Sequence, residues 1–165
     1  MRHVVISILG KDRPGIVENL AGIVKDHHGN WQTSSLRHMS DIFAGIVEIA
    51  VSDEHAEKMV AELTAIDNLN VQVEVSQPNE RADNVVTLDV TANDRPSIVA
   101  EISAIIHKNG GNLVKLVSTQ VSAADSAQLL FKAHAKIAVE NSEQVDVLVE
   151  ALETISDDLM VDIET

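Results

Sequence analysis

Cysteine is absent from this 165-residue chain, positive charge is scarce, and nowhere do apolar residues run far without interruption. The first absence excludes a disulfide framework and a thiolate-ligated metal, and is compatible with a reducing compartment. The second leaves 12 Lys and Arg against 26 Asp and Glu, a formal net charge of −14. With acidic residues spread through both halves, the long-range field repels a phosphate backbone, so direct nucleic-acid binding is disfavoured. The third excludes a membrane-spanning helix, which needs about 20 apolar residues. The opening MRHVVISILGKDRPG has too short an apolar run for a signal peptide. The expectation is a cytoplasmic chain with no membrane partner. What is present is ordinary for a globular protein, 45% hydrophobic and 23% charged residues, and argues against disorder.

The chain repeats itself. KDRPGIVENLAGIVKDHHGN begins at Lys11 and NDRPSIVAEISAIIHKNGGN at Asn93, and aligning Asp12 with Asp94 gives an offset of 82 residues (94 − 12). Arg13/Arg95, Pro14/Pro96, Ile16/Ile98, Val17/Val99, Ile23/Ile105, Gly29/Gly111 and Asn30/Asn112 also match. The offset is close to half the chain, so two domains are expected over residues 1–76 and 84–165, joined by the polar linker QPNERAD at 77–83. Domains of that size bury a modest share of their surface. Each is expected to lean on its neighbour or on another chain, which makes a homo-oligomer one expected arrangement.

Within each half the same element order is legible. VVISIL predicts a strand over His3–Leu9, broken by Gly10–Arg13, and Pro14 fits the first position of a helix. That helix carries Val17, Leu20, Ala21 and Val24 on one face and ends at HHGN, with Gly29 expected in the left-handed cap. Two strands are predicted over 31–39 and 42–51, turning at Ser40 and Asp41. Ser52 or Asp53 is placed to cap a second helix, with Ala56, Met59, Val60, Leu63 and Ile66 on its apolar face. Val71, Val73 and Val75 alternate as in a half-buried strand. The second half repeats the order: strand 85–90, helix 96–109, strands 113–121 and 128–137, helix 142–155 and strand 159–163. This βαββαβ order predicts an α+β, ferredoxin-like unit twice over, an antiparallel sheet with both helices on one face.

The repeated turn carries the candidate chemistry. A strand-to-helix turn presents the first helical N–H groups, here Gly15, Ile16 and Val17, where the helix dipole is positive and a carboxylate is welcome. Gly15 lets a ligand approach the backbone closely. Asp12 offers a carboxylate to an ammonium group, and Asn30 an amide to the same ligand. The alternative is structural: Asp12 caps the helix, Pro14 starts it and Gly15 eases packing. Ser97 replaces Gly15 in the second copy, narrowing the approach and adding a hydroxyl, so that site is either altered or purely structural.

A βαββαβ unit whose first strand runs into D-R-P-G-I-V at a helix start resembles the ACT domain, an amino-acid-sensing regulatory module. Two copies in tandem, with no catalytic domain attached, are similar to regulatory proteins that repress glycine cleavage genes. The resemblance implies that ligands sit where two such domains meet, near Asp12, Arg13, Pro14, Gly15, Ile16, Val17 and Asn30, and near Asp94, Arg95, Pro96, Ser97, Ile98 and Asn112. It further implies a small amino acid such as glycine as ligand, and a transcriptional activator protein rather than DNA as partner. A ligand-sensing regulatory subunit of an amino-acid metabolic enzyme is the alternative it leaves open.

Other residues yield less. The seven histidines are scattered and no HExxH occurs, so no metal site is expected. His27 and His28 close a helix where the dipole favours positive charge. Ser34 and Ser35 have neither a G-x-S-x-G setting nor a base, no dinucleotide or Walker motif is present, and no cofactor is implied. The chain is expected not to be an enzyme. Trp31, facing Leu113 in the alignment, reads as a core or interface aromatic. Glu143, Asp146, Glu150, Glu153 and Asp157 stack along one side of the last helix, read as a solvated face, with docking of a basic partner as the alternative.

Overall fold

The computed structural model describes residues 1–78 and 84–164, so residues 79–83 of the expected linker lie outside the described residues. The chain divides into two compact units, Met1–Asn79 and Glu80–Thr165. The first contains β1 (Arg2–Lys11), α1 (Ile16–Asp26), β2 (Asn30–Met39), β3 (Ile42–Val51), α2 (Asp53–Thr64) and β4 (Leu69–Ser76). The second contains β5 (Val85–Asn93), α3 (Ile98–Lys108), β6 (Asn112–Ser122), β7 (Leu129–Ala138), α4 (Glu143–Glu153) and β8 (Met160–Ile163). Each forms a four-stranded antiparallel sheet, ordered β2-β3-β1-β4 and β6-β7-β5-β8. The sequence of elements and the sheet order are those of the ferredoxin-like unit, twice.

Strand alternation explains the cores. In β1 the buried residues are Val4, Ile6 and Ile8, and in β5 Val86, Leu88, Val90 and Ala92, every second side chain pointing to the helices. Leu20, Ile23 and Val24 of α1 and Ala56, Met59 and Leu63 of α2 close the first core. Ile102 and Ile106 of α3 and Leu148 and Leu152 of α4 close the second. Trp31 is half-buried against the first core, as a core aromatic. Both edge strands carry an irregularity at the same place, between Trp31 and Thr33 and between Leu113 and Lys115. The acidic residues of α4 are exposed while Val145, Val149 and Ile155 pack inward, as a solvated face requires.

Several boundaries differ from the sequence reading. β1 continues through Gly10 to Lys11, because Gly10 packs against Asn68, whose carbonyl would stand 2.7 Å from any Cβ placed there. The helices begin at Ile16 and Ile98, so Pro14 and Pro96 lie in the preceding turn and not in the first helical position. Gly29 is not the left-handed residue; His28 is, at φ 56°, and its counterpart is Gly110 at φ 77°. Gly29 is instead a packing requirement, since a Cβ would lie 2.9 Å from Val24 Cγ1 and 3.2 Å from Ile49 Cγ2. His27 is the C-cap of α1 and its Nε2 stands 2.6 Å from Glu62 Oε2, tying α1 to α2. Ser52 caps α2 through its carbonyl, which accepts from the His55 and Ala56 N–H groups.

Candidate functional site

Each DRP turn follows the end of a central strand and is held there by the hairpin beside it. The Asp12 N–H donates to the Asp41 carbonyl at 2.9 Å, and the Asp94 N–H to the Leu129 carbonyl at 3.0 Å. The hairpins themselves differ: Ser40 and Asp41 alone join β2 to β3, whereas residues 123–128 join β6 to β7.

The turns differ in type. Gly15 is the N-cap of α1 at φ 87°, ψ 7°, the conformation of the third residue of a type II turn. Ser97 caps α3 at φ −95°, ψ 0°, that of a type I turn, and the Ile98 N–H closes it on the Arg95 carbonyl at 3.3 Å. The two types differ by turning over the middle peptide, so the first backbone N–H of the second turn faces the other way. Neither helix has a side-chain cap bond, so Asp12 is not the cap of α1.

The side chains around the turns differ as well. Asp12 and Arg13 are exposed; Asp12 Oδ2 stands 3.7 Å from His38 Nε2, and Arg13 donates to the Asp67 carbonyl at 3.1 Å. In the second unit Asp94 and Arg95 are half-buried. Gln120, which aligns with His38, donates to Asp94 at 2.5 Å. Arg95 donates to Ser97 Oγ at 3.2 Å and pairs with Glu101 at 2.5 Å, drawing its guanidinium across the helix start. The Asn93 N–H donates to Asp158 at 2.6 Å, and that bond chiefly holds the Asp158 carboxyl below the usual carboxylate range.

Pro14 and Gly15, like Pro96 and Ser97, are exposed, Ile16 and Ile98 are buried, and Val17 and Val99 are 43% exposed. Ile16 and Ile98 therefore offer backbone alone. Gly15 opens onto a surface hollow along α1 shared with Glu18, Asn19, Gly22, Ile23, Asp26 and Glu62. Asn30 and Asn112 are not brought to these turns. Asn30 is level with Ala50 and, through it, with His3, whereas the turn follows Lys11, eight residues and roughly 26 Å further along the strand. Asn112 stands equally far from its own turn, level with Ala138 and Val85. Sequence reasoning missed His38 and Gln120 because neither belongs to the motif, although both recur at the offset of 82 (120 − 38).

No helix among the described residues is long and apolar enough to cross a membrane. Comparison with known proteins agrees with the doubled architecture. Family models described as ACT domain match residues 2–76 and residues 81–161. The UPF0237 protein MK1213 of Methanopyrus kandleri is 32% identical over 65 residues, covering 38% of this chain and 72% of that one. The crystal structure of an unknown protein from Galdieria sulphuraria is similar along the whole chain, with a TM-score of 0.82 at 22% identity, covering 99% of this chain and 97% of that one. That of a proposed glycine cleavage system transcriptional repressor gives a TM-score of 0.73 at 19% identity, covering 99% and 98%. Two family matches in succession, one on each βαββαβ unit, make the conclusion plain: this chain belongs to the ACT-domain family and carries two ACT domains in tandem.

Proposed function

We propose that this chain is an amino-acid-responsive regulator, a repressor accessory of glycine cleavage gene expression that acts by binding a transcriptional activator protein rather than DNA. The observation that carries the reading is the layout: two regulatory domains account for nearly the whole chain, and its charge of −14 opposes contact with a phosphate backbone. The same two-unit layout runs through the proposed glycine cleavage repressor.

The ligand site in this proposal is the first turn. Ile16 and Val17 bring N–H groups to a helix start that suits the carboxylate of a small amino acid, and Asp12 offers charge to its ammonium group. Nothing lies within 4 Å of the position a Gly15 Cβ would take, so the backbone is open to approach. The second turn serves as its structural echo, with Asp94 held by Gln120 and Arg95 folded onto Ser97 and Glu101. Glycine releases the activator only if it binds the free chain more tightly than the complex.

The test is affinity capture with the purified chain, with and without glycine. A transcription factor retained without glycine and released by it supports the reading. Recovery of a biosynthetic enzyme, or of no regulator at all, overturns it in favour of an enzyme-regulating subunit or another role.

A further inference from the structure

Away from both turns, the described residues gather Asp89, His134 and Glu164 so that one ligand atom from each lies within 4.8 Å of the others. They stand on the sheet face turned away from the helices, since Leu88 and Val90 on either side of Asp89 are buried in the core. Asp89 of β5 is level with His134 of β7 and with Asp162 of β8. Glu164 falls on the next rung, its N–H donating to the Thr87 carbonyl at 2.9 Å.

The geometry gives the imidazole two different neighbours. Nδ1 is 2.8 Å from Asp89 Oδ1, and Nε2 is 3.7 Å from Glu164 Oε2. With the Nδ1 proton donated to Asp89, the neutral ring keeps its lone pair on Nε2, facing Glu164, the arrangement in which a carboxylate orients a metal-binding histidine. Ligand atoms around an ion with bonds of about 2.0–2.2 Å stand roughly 3–3.5 Å apart. A small rotation of these partly exposed side chains closes the remaining gap. Charge on this face is close to balance, three carboxylates from Asp89, Asp162 and Glu164 against Lys132, Lys136 and Lys115, so the site rests on the placement of the imidazole between two carboxylates and not on the field.

The cluster is not demanded by the fold. The corresponding rung of the first unit sets Ser7 between Ile46 and Gln72, and Ile46 is 55% exposed. We infer that the second unit carries a binding site for a divalent first-row transition ion. His134 Nε2 and Glu164 are its protein ligands, Asp89 is the positioning residue, and water fills the remaining positions. This inference stands apart from the amino-acid site and does not depend on it.

Zinc ion titrated into the full chain at neutral pH, followed by calorimetry and by the His134 ring resonances in NMR, tests it. The expected result is one ion per chain with a shift of those resonances. Glu164→Gln, which changes an exposed side chain and keeps the backbone bond to Thr87, and His134→Ala are each expected to weaken binding about 10–100-fold. Asp89→Asn, which keeps a hydrogen-bond acceptor, is expected to weaken it by about 10-fold. Because the chain holds 7 histidines, His27→Ala serves as the control and is expected to bind as the parent does. Zinc binding unchanged by His134→Ala, or His134 resonances that respond to pH but not to zinc, would overturn the site and leave an ion-pair triad.

Discussion

The two units are built on one plan, yet their turns have been finished differently. In the first, glycine at φ 87° makes a type II turn, Arg13 reaches away to the Asp67 carbonyl, and the helix start lies open. In the second, serine at φ −95° makes a type I turn, and Arg95, Glu101 and Gln120 spend their polar groups on the motif itself. A single residue at one position decides the turn type, because only glycine enters the left-handed region without strain. The lesson is that a repeated motif need not be a repeated site.

The comparison is first tested where the units agree. Gly29→Ala and Gly111→Ala each place a Cβ against neighbours at 2.9–3.2 Å and 3.0–3.2 Å. Both are expected to cost about 1–3 kcal/mol of overpacking, measured by chemical denaturation, with Trp31 fluorescence following the first unit. Unequal costs would break the claim of a shared plan.

Where the units differ, the effects should separate. Gly15→Ala meets no neighbour within 4 Å, so its expected cost of about 1–2 kcal/mol is conformational only. Ser97→Ala, already at a negative φ, is expected to stay within about 0.5 kcal/mol. Equal losses would mean that turn type is not what distinguishes the two copies.

The smallest effect concerns pH. Asp158 precedes the buried Leu159 as Asn68 precedes the buried Leu69, so only the second unit has a titrating group there. Its pKa is lowered from 3.8 in the folded state, chiefly by the Asn93 N–H. A depressed carboxyl pKa contributes stability that is present above the unfolded value and lost as pH falls through the folded one. Asp158→Asn is therefore expected to be less stable than the parent near neutrality and to match it in acid, below the carboxylate range. A difference that persists in acid would remove the charge from the explanation.

Much of this fold was legible from residues alone. The strand Ile42–Val51 and the apolar face of α2 follow directly from the text IFAGIVEIAV and the spacing of Ala56, Met59 and Leu63. The turn was misread at Pro14 because proline suits both a first helical position and the second position of a turn, and the Pro-Gly pair that signals type II competes with the helix start. His28 took the left-handed role expected of Gly29 because Gly29 is needed bare against Val24 and Ile49, a constraint visible only in packing. The pairings of Asp12 with His38 and Asp94 with Gln120 join residues from different strands. So does the cluster around His134, where strand register, and not sequence spacing, assembles the chemistry.

The central claim is that the first turn alone receives a small amino acid. Backbone amide NMR during titration with glycine tests it most directly, since Gly15, Ile16 and Val17 report one turn and Ser97, Ile98 and Val99 the other in a single experiment. The account predicts saturating shifts at the first set and none at the second. Shifts confined to the second set, or none in either, would contradict it.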